Sequence, residues 1–226
     1  MIEWQPDRIW YQTGKYSHWG ISIGLRMTIF RLANGGLLVH NPIELTESLK
    51  DQLAKLGHIQ GITTVNTHLH HYLSDWWLTY PDAYFYAAPG LEAKRTDIGF
   101  DAPLSTQSQP LWRDDLLQTV FTTYGENKDI IFCDPVTKTL VFGTVFSHLN
   151  RGTLLTQFAG LLTGRYFEPA TTPSTSMYLE EKTQIRQSLQ EVLSWPFESI
   201  LPIHGQPIAG EGKKHIIKAF SWALNG

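Results

Sequence analysis

The chain has 226 residues, 42% hydrophobic, 12% aromatic and 17% charged, which describes a globular protein with a sizeable core and excludes a disordered one. A formal net charge of −3 and a pI near 6.3 remove any general attraction to nucleic acid or anionic lipid, and no run of Lys and Arg supplies a local one. No long apolar run marks a membrane span, Met1 to Pro6 carries no secretory pattern, and a single cysteine, Cys133, rules out an internal disulfide; together these predict one soluble, cytoplasmic domain over residues 1–226.

In chain order, Ile21 to Phe30 and Leu37 to His40 predict two strands joined by Ala33 to Gly36, where Asn34 and the glycines suit a tight turn. Thr46 then caps a helix in which Leu49, Leu53 and Leu56 recur at helical spacing, and Gly57 ends it. Gly61 to Asn66 is the next strand, so the order strand, helix, strand predicts an α/β arrangement with ligands at the carboxyl ends of strands. Asp75 to Tyr80 predicts a short helix capped by Asp75 and stopped by Pro81, and Ala83 to Ala88 a strand ended by Pro89 and Gly90. The Ser-, Gln-, Pro- and Asp-rich stretch from Thr96 to Asp115 is a long irregular connection of the kind that lines sites.

Three more strands are predicted at Thr119 to Tyr124, Asp129 to Cys133 and Thr139 to Phe146, with Pro135 to Lys138 as the last turn. Leu154 to Leu162 predicts a helix, Thr171 to Ser176 a polar linker, and Tyr178 to Ser194 a second helix. Ser199 to Ile203 is a short apolar strand ending at His204 and Gly205, and Gly212 to Leu224 closes the chain as a helix. Cys133, inside an apolar strand, reads as a small buried hydrophobe, and Trp76 and Trp77 read as core or pocket wall.

Chemistry concentrates in Thr67-His68-Leu69-His70-His71, at the end of the Gly61 to Asn66 strand. If the strand continues through them, His68 and His70 project to one face, roughly 6–7 Å apart at Cα, and two imidazoles can converge on one ion. The alternative is a hydrophilic loop that happens to be rich in histidine. His18, His58 and His215 sit in loop or helix-surface contexts with no chemical neighbour.

A strand ending in Thr67-His68-Leu69-His70, followed far downstream by a short strand ending in Ile203-His204-Gly205 and a closing helix, resembles the metallo-β-lactamase superfamily over nearly the whole chain. The runs Leu25 to Thr28, Gly35 to Pro42, Tyr80 to Ala83 and Ala88 to Leu91 resemble an uncharacterised branch of it found chiefly in photosynthetic organisms. The resemblance implies an αββα sandwich with mixed sheets, and it places His68, His70 and His204 at three of the superfamily's metal-ligand positions. His40 falls where many members carry an aspartate that orients the metal site.

The departures from the pattern His-x-His-x-Asp-His are as informative. Tyr72 stands where the aspartate belongs and Leu73 where the next histidine belongs, while the bridging aspartate falls near Thr144. Without a bridging carboxylate a two-metal centre lacks its charge balance and spacing, so the resemblance implies at most one zinc or other divalent transition metal, with the absence of metal equally open. His71, Asp75, Asp134 and His148 are the available substitutes. Two readings follow: a mononuclear metal-dependent hydrolase of unknown substrate, acting on an ester, thioester, lactone or phosphoester, or a catalytically inactive scaffold that binds a small molecule or a partner protein through the old pocket.

Overall fold

The structure, a computed structural model, describes residues 1–123, 127–172 and 182–225. Two compact units divide the chain: residues 1–14 with 26–115, and residues 15–25 with 116–226.

The chain opens with β1 (Ile2–Gln5) and β2 (Ile9–Gly14), an antiparallel pair with a register shift between Glu3 and Gln5. It crosses into the second unit for the hairpin β3 (Ser17–His18) and β4 (Ile21–Ser22), then forms β5 (Leu25–Arg31) and β6 (Leu37–His40). The predicted first strand is thus split at Ile23 and Gly24, and β1 to β3 lack the alternation that would have marked them in the sequence. The turn between β5 and β6 behaves as its residues dictate: Gly35 takes φ +84°, and the Asn34 side chain accepts from the Gly36 amide at 2.9 Å.

Helix α1 (Glu47–Leu56) starts at Thr46, whose hydroxyl accepts from the Leu49 amide at 3.2 Å, and it buries Leu49 and Leu53. Next come β7 (Ile59–Thr63), α2 (Leu73–Thr79), β8 (Tyr84–Ala87), α3 (Leu91–Lys94) and β9 (Ala102–Pro103). The seven strands of this unit run in the order β1-β2-β5-β6-β7-β8-β9; β5 and β6 are antiparallel, and β6 to β9 are parallel. Apart from β9, residues 96–115 are irregular, as expected. Asp75 lies in the first turn of α2 and does not cap it; Tyr72 holds the N-cap position without a side-chain bond. Trp76 is buried and donates its indole N–H to the Ile43 carbonyl at 2.7 Å, while Trp77 is exposed.

In the second unit β10 (Leu117–Thr122), β11 (Lys128–Asp134) and β12 (Thr139–His148) form an antiparallel meander. The carboxylate of Asp134 accepts from the amides of Val136 and Thr137, which closes the β11–β12 turn. Then follow α4 (Leu154–Leu162), β13 (Ala170–Thr171), α5 (Lys182–Ser194), β14 (Ser199–Gly205), α6 (Gly212–Ala219) and α7 (Ser221–Leu224). β12 pairs antiparallel with β13 and parallel with β14, so this sheet too is mixed. Tyr124, residues 173–176 of the predicted linker and residues 178–181 of the predicted helix lie outside the described residues. The single closing helix expected from Gly212 to Leu224 is two, parted at Phe220, whose buried ring packs on Phe121, Phe142 and Phe146 with centroids 5.7–6.5 Å apart. Ile185, Leu189 and Val192 of α5 close this core from one helical stripe. Cys133 is buried within it, and burial pushes its thiol up to about 12, which leaves it inert.

Gly205 ends β14 at φ +77°, where a Cβ would stand 2.3 Å from the His148 carbonyl oxygen. Both the conformation and the space demand glycine. Gly205→Ala is therefore expected to cost roughly 2–4 kcal/mol in urea unfolding; a change within experimental error would show that the strand end relaxes freely.

Candidate functional site

β7 ends at Thr63, three residues earlier than the sequence pattern implies, and the histidines lie on a bend rather than a strand. Asn66 is the cause. Its side-chain oxygen accepts from the amides of His68 at 2.9 Å and Leu69 at 3.1 Å, a local bond that competes with sheet pairing and turns the chain. The strand alternation expected for His68 and His70 does not apply. His68 is exposed, with its Nδ1 3.5 Å from the Thr67 hydroxyl.

His70 is half-buried and firmly held. Arg95 donates from one terminal nitrogen to His70 Nδ1 at 3.0 Å and to the His70 carbonyl at 3.3 Å. Its other nitrogens reach Ser74 at 2.5 Å and pair with both carboxylate oxygens of Asp97 at 2.7 and 2.8 Å. A guanidinium has donors only, so His70 Nδ1 must be the acceptor, and the proton of the neutral ring sits on Nε2. Burial holds the His70 pKa below its usual value, reinforced by the charges of Lys94, Arg95 and His71. Asp97 is drawn down to about 2 by its bond with Arg95. His71 is exposed and stacks on His70 with centroids 5.5 Å apart, Lys94 donates to the Thr67 carbonyl at 2.8 Å, and Leu73 is packed into the core.

In the same unit β5, β6 and β7, with the residues that follow β6 and β7, carry a buried polar layer of Thr28, His40, Asn41, Thr63 and Thr64. His40 Nδ1 lies 2.8 Å from the Thr63 hydroxyl, and burial lowers its pKa to about 3. Asn41, at φ +61°, donates to the Arg26 carbonyl at 2.9 Å, and the buried Arg26 lies 4.9 Å over the Tyr11 ring.

On the second unit His204 is buried near the end of β14. Its Nδ1 approaches the Gly24 carbonyl at 2.6 Å, so Nδ1 carries the proton and the Nε2 lone pair points away from that bond; the ring stacks on Tyr16 at 5.3 Å. Thr144, which the sequence resemblance sets near a bridging-aspartate position, gives its amide and hydroxyl to Asp129 at 2.6 and 2.9 Å. Asp129 is buried, and a Cβ at Gly143 would lie 2.2 Å from it, so glycine there makes room for the carboxylate. Of the possible substitute ligands, Asp134 closes its turn, His148 donates Nε2–H to the Tyr166 carbonyl at 3.0 Å, and Asp75 is exposed on α2. Among the described residues no three His, Cys, Asp or Glu side chains are grouped so as to hold a metal ion. Sequence reasoning missed Arg95, which lies outside every motif, and Asn66, whose turn-forming chemistry was overlooked inside a β-rich run.

These elements have close structural counterparts. The DIM-1 metallo-β-lactamase, solved after exposure to ceftazidime, superposes with a TM-score of 0.67 at 15% identity, covering 98% of this chain and 96% of that one. A metallo-β-lactamase from Hirschia baltica gives 0.63 at 13% identity over 97% and 95%, and the metal-soaked Flv1 flavodiiron core from Synechocystis sp. PCC6803 gives 0.63 at 14% over 95% and 58%. The chain thus has the α/β, mixed-sheet fold of the metallo-β-lactamases. A family model described as a domain of unknown function (DUF4336) matches residues 6–91, the stretch that contains His68, His70 and His71 but not His204. No curated protein matches the chain.

Two outcomes test this geometry. Nitrogen-15 NMR of the imidazoles is expected to find His70 as the Nε2–H and His204 as the Nδ1–H tautomer; the reverse for His70 would remove the Arg95 bond. The depressed His40 pKa means that the unfolded chain takes up that proton first, so stability falls as pH drops below about 6.5, with the loss complete near pH 3. At pH 5 the loss is roughly 2 kcal/mol relative to pH 8. Urea unfolding of His40→Gln should lose this part of the pH dependence, and equal slopes in both proteins would put the proton elsewhere.

Proposed function

We propose that this protein is a metallo-β-lactamase-fold scaffold that binds a small molecule or a partner protein, in the cytoplasm, and does not carry out metal-dependent hydrolysis. The observation that carries this reading is the bond from Arg95 to His70 Nδ1. It occupies the lone pair a metal would need on that nitrogen, and it leaves the proton on the other. Ligation through Nε2 would put a proton on Nδ1 facing a donor-only guanidinium; ligation through Nδ1 would expel Arg95 from its contacts with Ser74 and Asp97. A divalent ion therefore does not fit His70 as the ring stands. Tyr72, Leu73 and Thr144 point the same way, since each replaces a ligand of the superfamily motif with a residue that binds metal poorly, and the motif is in this sense degenerate.

A second reading is favoured by one observation. His204 donates Nδ1–H to a carbonyl and so has its lone pair on Nε2, the tautomer in which metal-ligating histidines are usually held. On that reading His68, His70 and His204 would hold a single zinc or similar divalent ion, whose Lewis acidity would serve hydrolysis of an ester, thioester, lactone or phosphoester.

Elemental analysis of protein purified without chelator or histidine tag, with turnover assays on generic esters, thioesters, lactones and phosphoesters, separates the two. The scaffold reading expects well under one equivalent of any transition metal and no metal-dependent turnover, with increased zinc uptake by Arg95→Met because His70 Nδ1 is released. One full equivalent in the unaltered protein, lost together with activity in both His70→Ala and His204→Ala, selects the hydrolase.

A further inference from the structure

Helix α4 is seated inside out. Its buried face carries Thr156, Ala159 and Gly160, whereas Leu154, Leu155, Phe158, Leu161 and Leu162 are 85%, 54%, 56%, 47% and 72% exposed. The exposed positions recur at i, i+1, i+4, i+7 and i+8, one continuous stripe of the helix surface. The orientation is locked. A Cβ at Gly160 would meet the Leu149 carbonyl oxygen at 2.3 Å, so no larger residue can face inward there. Thr156 donates to the Ser22 carbonyl at 2.6 Å, and Thr153 caps the first turn by accepting from the Thr156 amide at 3.1 Å. The helix cannot roll its leucines inward without losing these contacts.

Just beyond the helix Phe167 is 82% exposed. Without counting that ring, and with roughly 200 Å² for each large apolar side chain, the five exposed residues of the helix present about 600 Å², the upper end of the 300–600 Å² of the largest patch on a typical monomer and the bulk of one partner's share of a standard stable interface. The charge distribution selects the occupant. The helix has no acidic or basic residue, and its polar flank is Gln157 and Thr163. Adsorption to an anionic membrane calls for Lys and Arg along the polar flank of such a helix, which α4 lacks. An identical face, by contrast, meets this one without opposing like charges, and an antiparallel pair sets each helix N-terminus, with Arg151 before it, beside the C-terminal carbonyls of the other.

We propose that the outward face of α4 is the contact surface of a two-fold symmetric homodimer, with Phe158 near the axis. Leu154, Phe158 and Leu162 form an i, i+4 ridge of the kind that packs into the matching groove of a second helix, and Phe158 is its midpoint. In a two-fold contact the residue on the axis meets its own copy.

Sedimentation of the full chain from 1 to 100 μM tests this, with an expected species of twice the 25.7 kDa chain mass. Phe158→Glu sets two carboxylates together and should weaken the dimer about a hundredfold or more, as should Phe158→Arg, while an equimolar mixture of the two variants restores a heterodimer. Far-UV circular dichroism and melting should be unchanged because Phe158 is solvent-facing; if that variant fails to fold, Leu162→Glu reports on the same face. A chain monomeric at 100 μM, or a dimer insensitive to both substitutions, overturns the proposal. So does flotation of a monomeric chain with phosphatidylserine vesicles that Phe158→Glu abolishes, which would give the face to lipid.

Discussion

A guanidinium can only donate, and that constraint organises the histidine corner of the first unit. Arg95 spends its donors on the Asp97 carboxylate, the Ser74 hydroxyl, the His70 carbonyl and His70 Nδ1, so the ring, the backbone beside it and the start of α2 are tied to one rigid planar group. Hydrogen bonds to charged groups are worth about 1.5–3 kcal/mol each where they are shielded from water and less at the surface. An ion bound through His70 Nδ1 must therefore disrupt several bonds, not one. Asp97, the carboxylate that could have offset a metal's charge nearby, is already committed to Arg95.

The two histidines that the superfamily pattern treats alike are held in opposite states. His204 gives its Nδ1 proton to a carbonyl and keeps its lone pair on Nε2; His70 accepts at Nδ1 and keeps its proton on Nε2. Side-chain identity is the same, and the partner decides the chemistry. The same logic applies to Thr144. Its hydroxyl and amide both serve Asp129, a buried carboxyl group one strand away that Gly143 makes room for, so the side chain acts as a structural tie.

Much of the fold was legible in the sequence because it rests on local chemistry and period. Thr46, Asn34, Gly35 and the leucines of α1 act as their types dictate, and the order of the longer strands and helices from β5 to β14 follows the hydrophobic pattern, although the short α3, β9 and β13 carry no such signal. The site was less legible. Val65 and Asn66 extend a β-rich run in composition, yet the Asn66 carboxamide bonds the chain two and three residues ahead and ends the strand at Thr63. Arg95 lies 25 residues from His70 in a stretch without a motif, and only the folded chain brings its fork to the ring. Strands β1 and β3 were missed because they are short and partly or wholly exposed, and β2 because its apolar residues, Ile9, Trp10 and Tyr11, run together and do not alternate with polar ones.

Helix α4 shows where a correct periodicity still leaves the decisive question open. The spacing of Leu154, Leu155, Phe158, Leu161 and Leu162 predicts a helix with an apolar stripe, and the helix forms over those residues. Period fixes which residues share a face, but not which face meets the core. That choice was made by volume: Leu149 and the β4 strand leave space only for Gly160, Ala159 and Thr156, so close approach of the helix to its own unit required the small face inward. The large residues then face water at a cost that folding of one chain does not recover, since burial of each would contribute about 1.5–3 kcal/mol. A surface of this size, fixed in place by backbone contact on its other side, is a preformed binding face, and association with a second copy recovers the burial that the isolated chain forgoes.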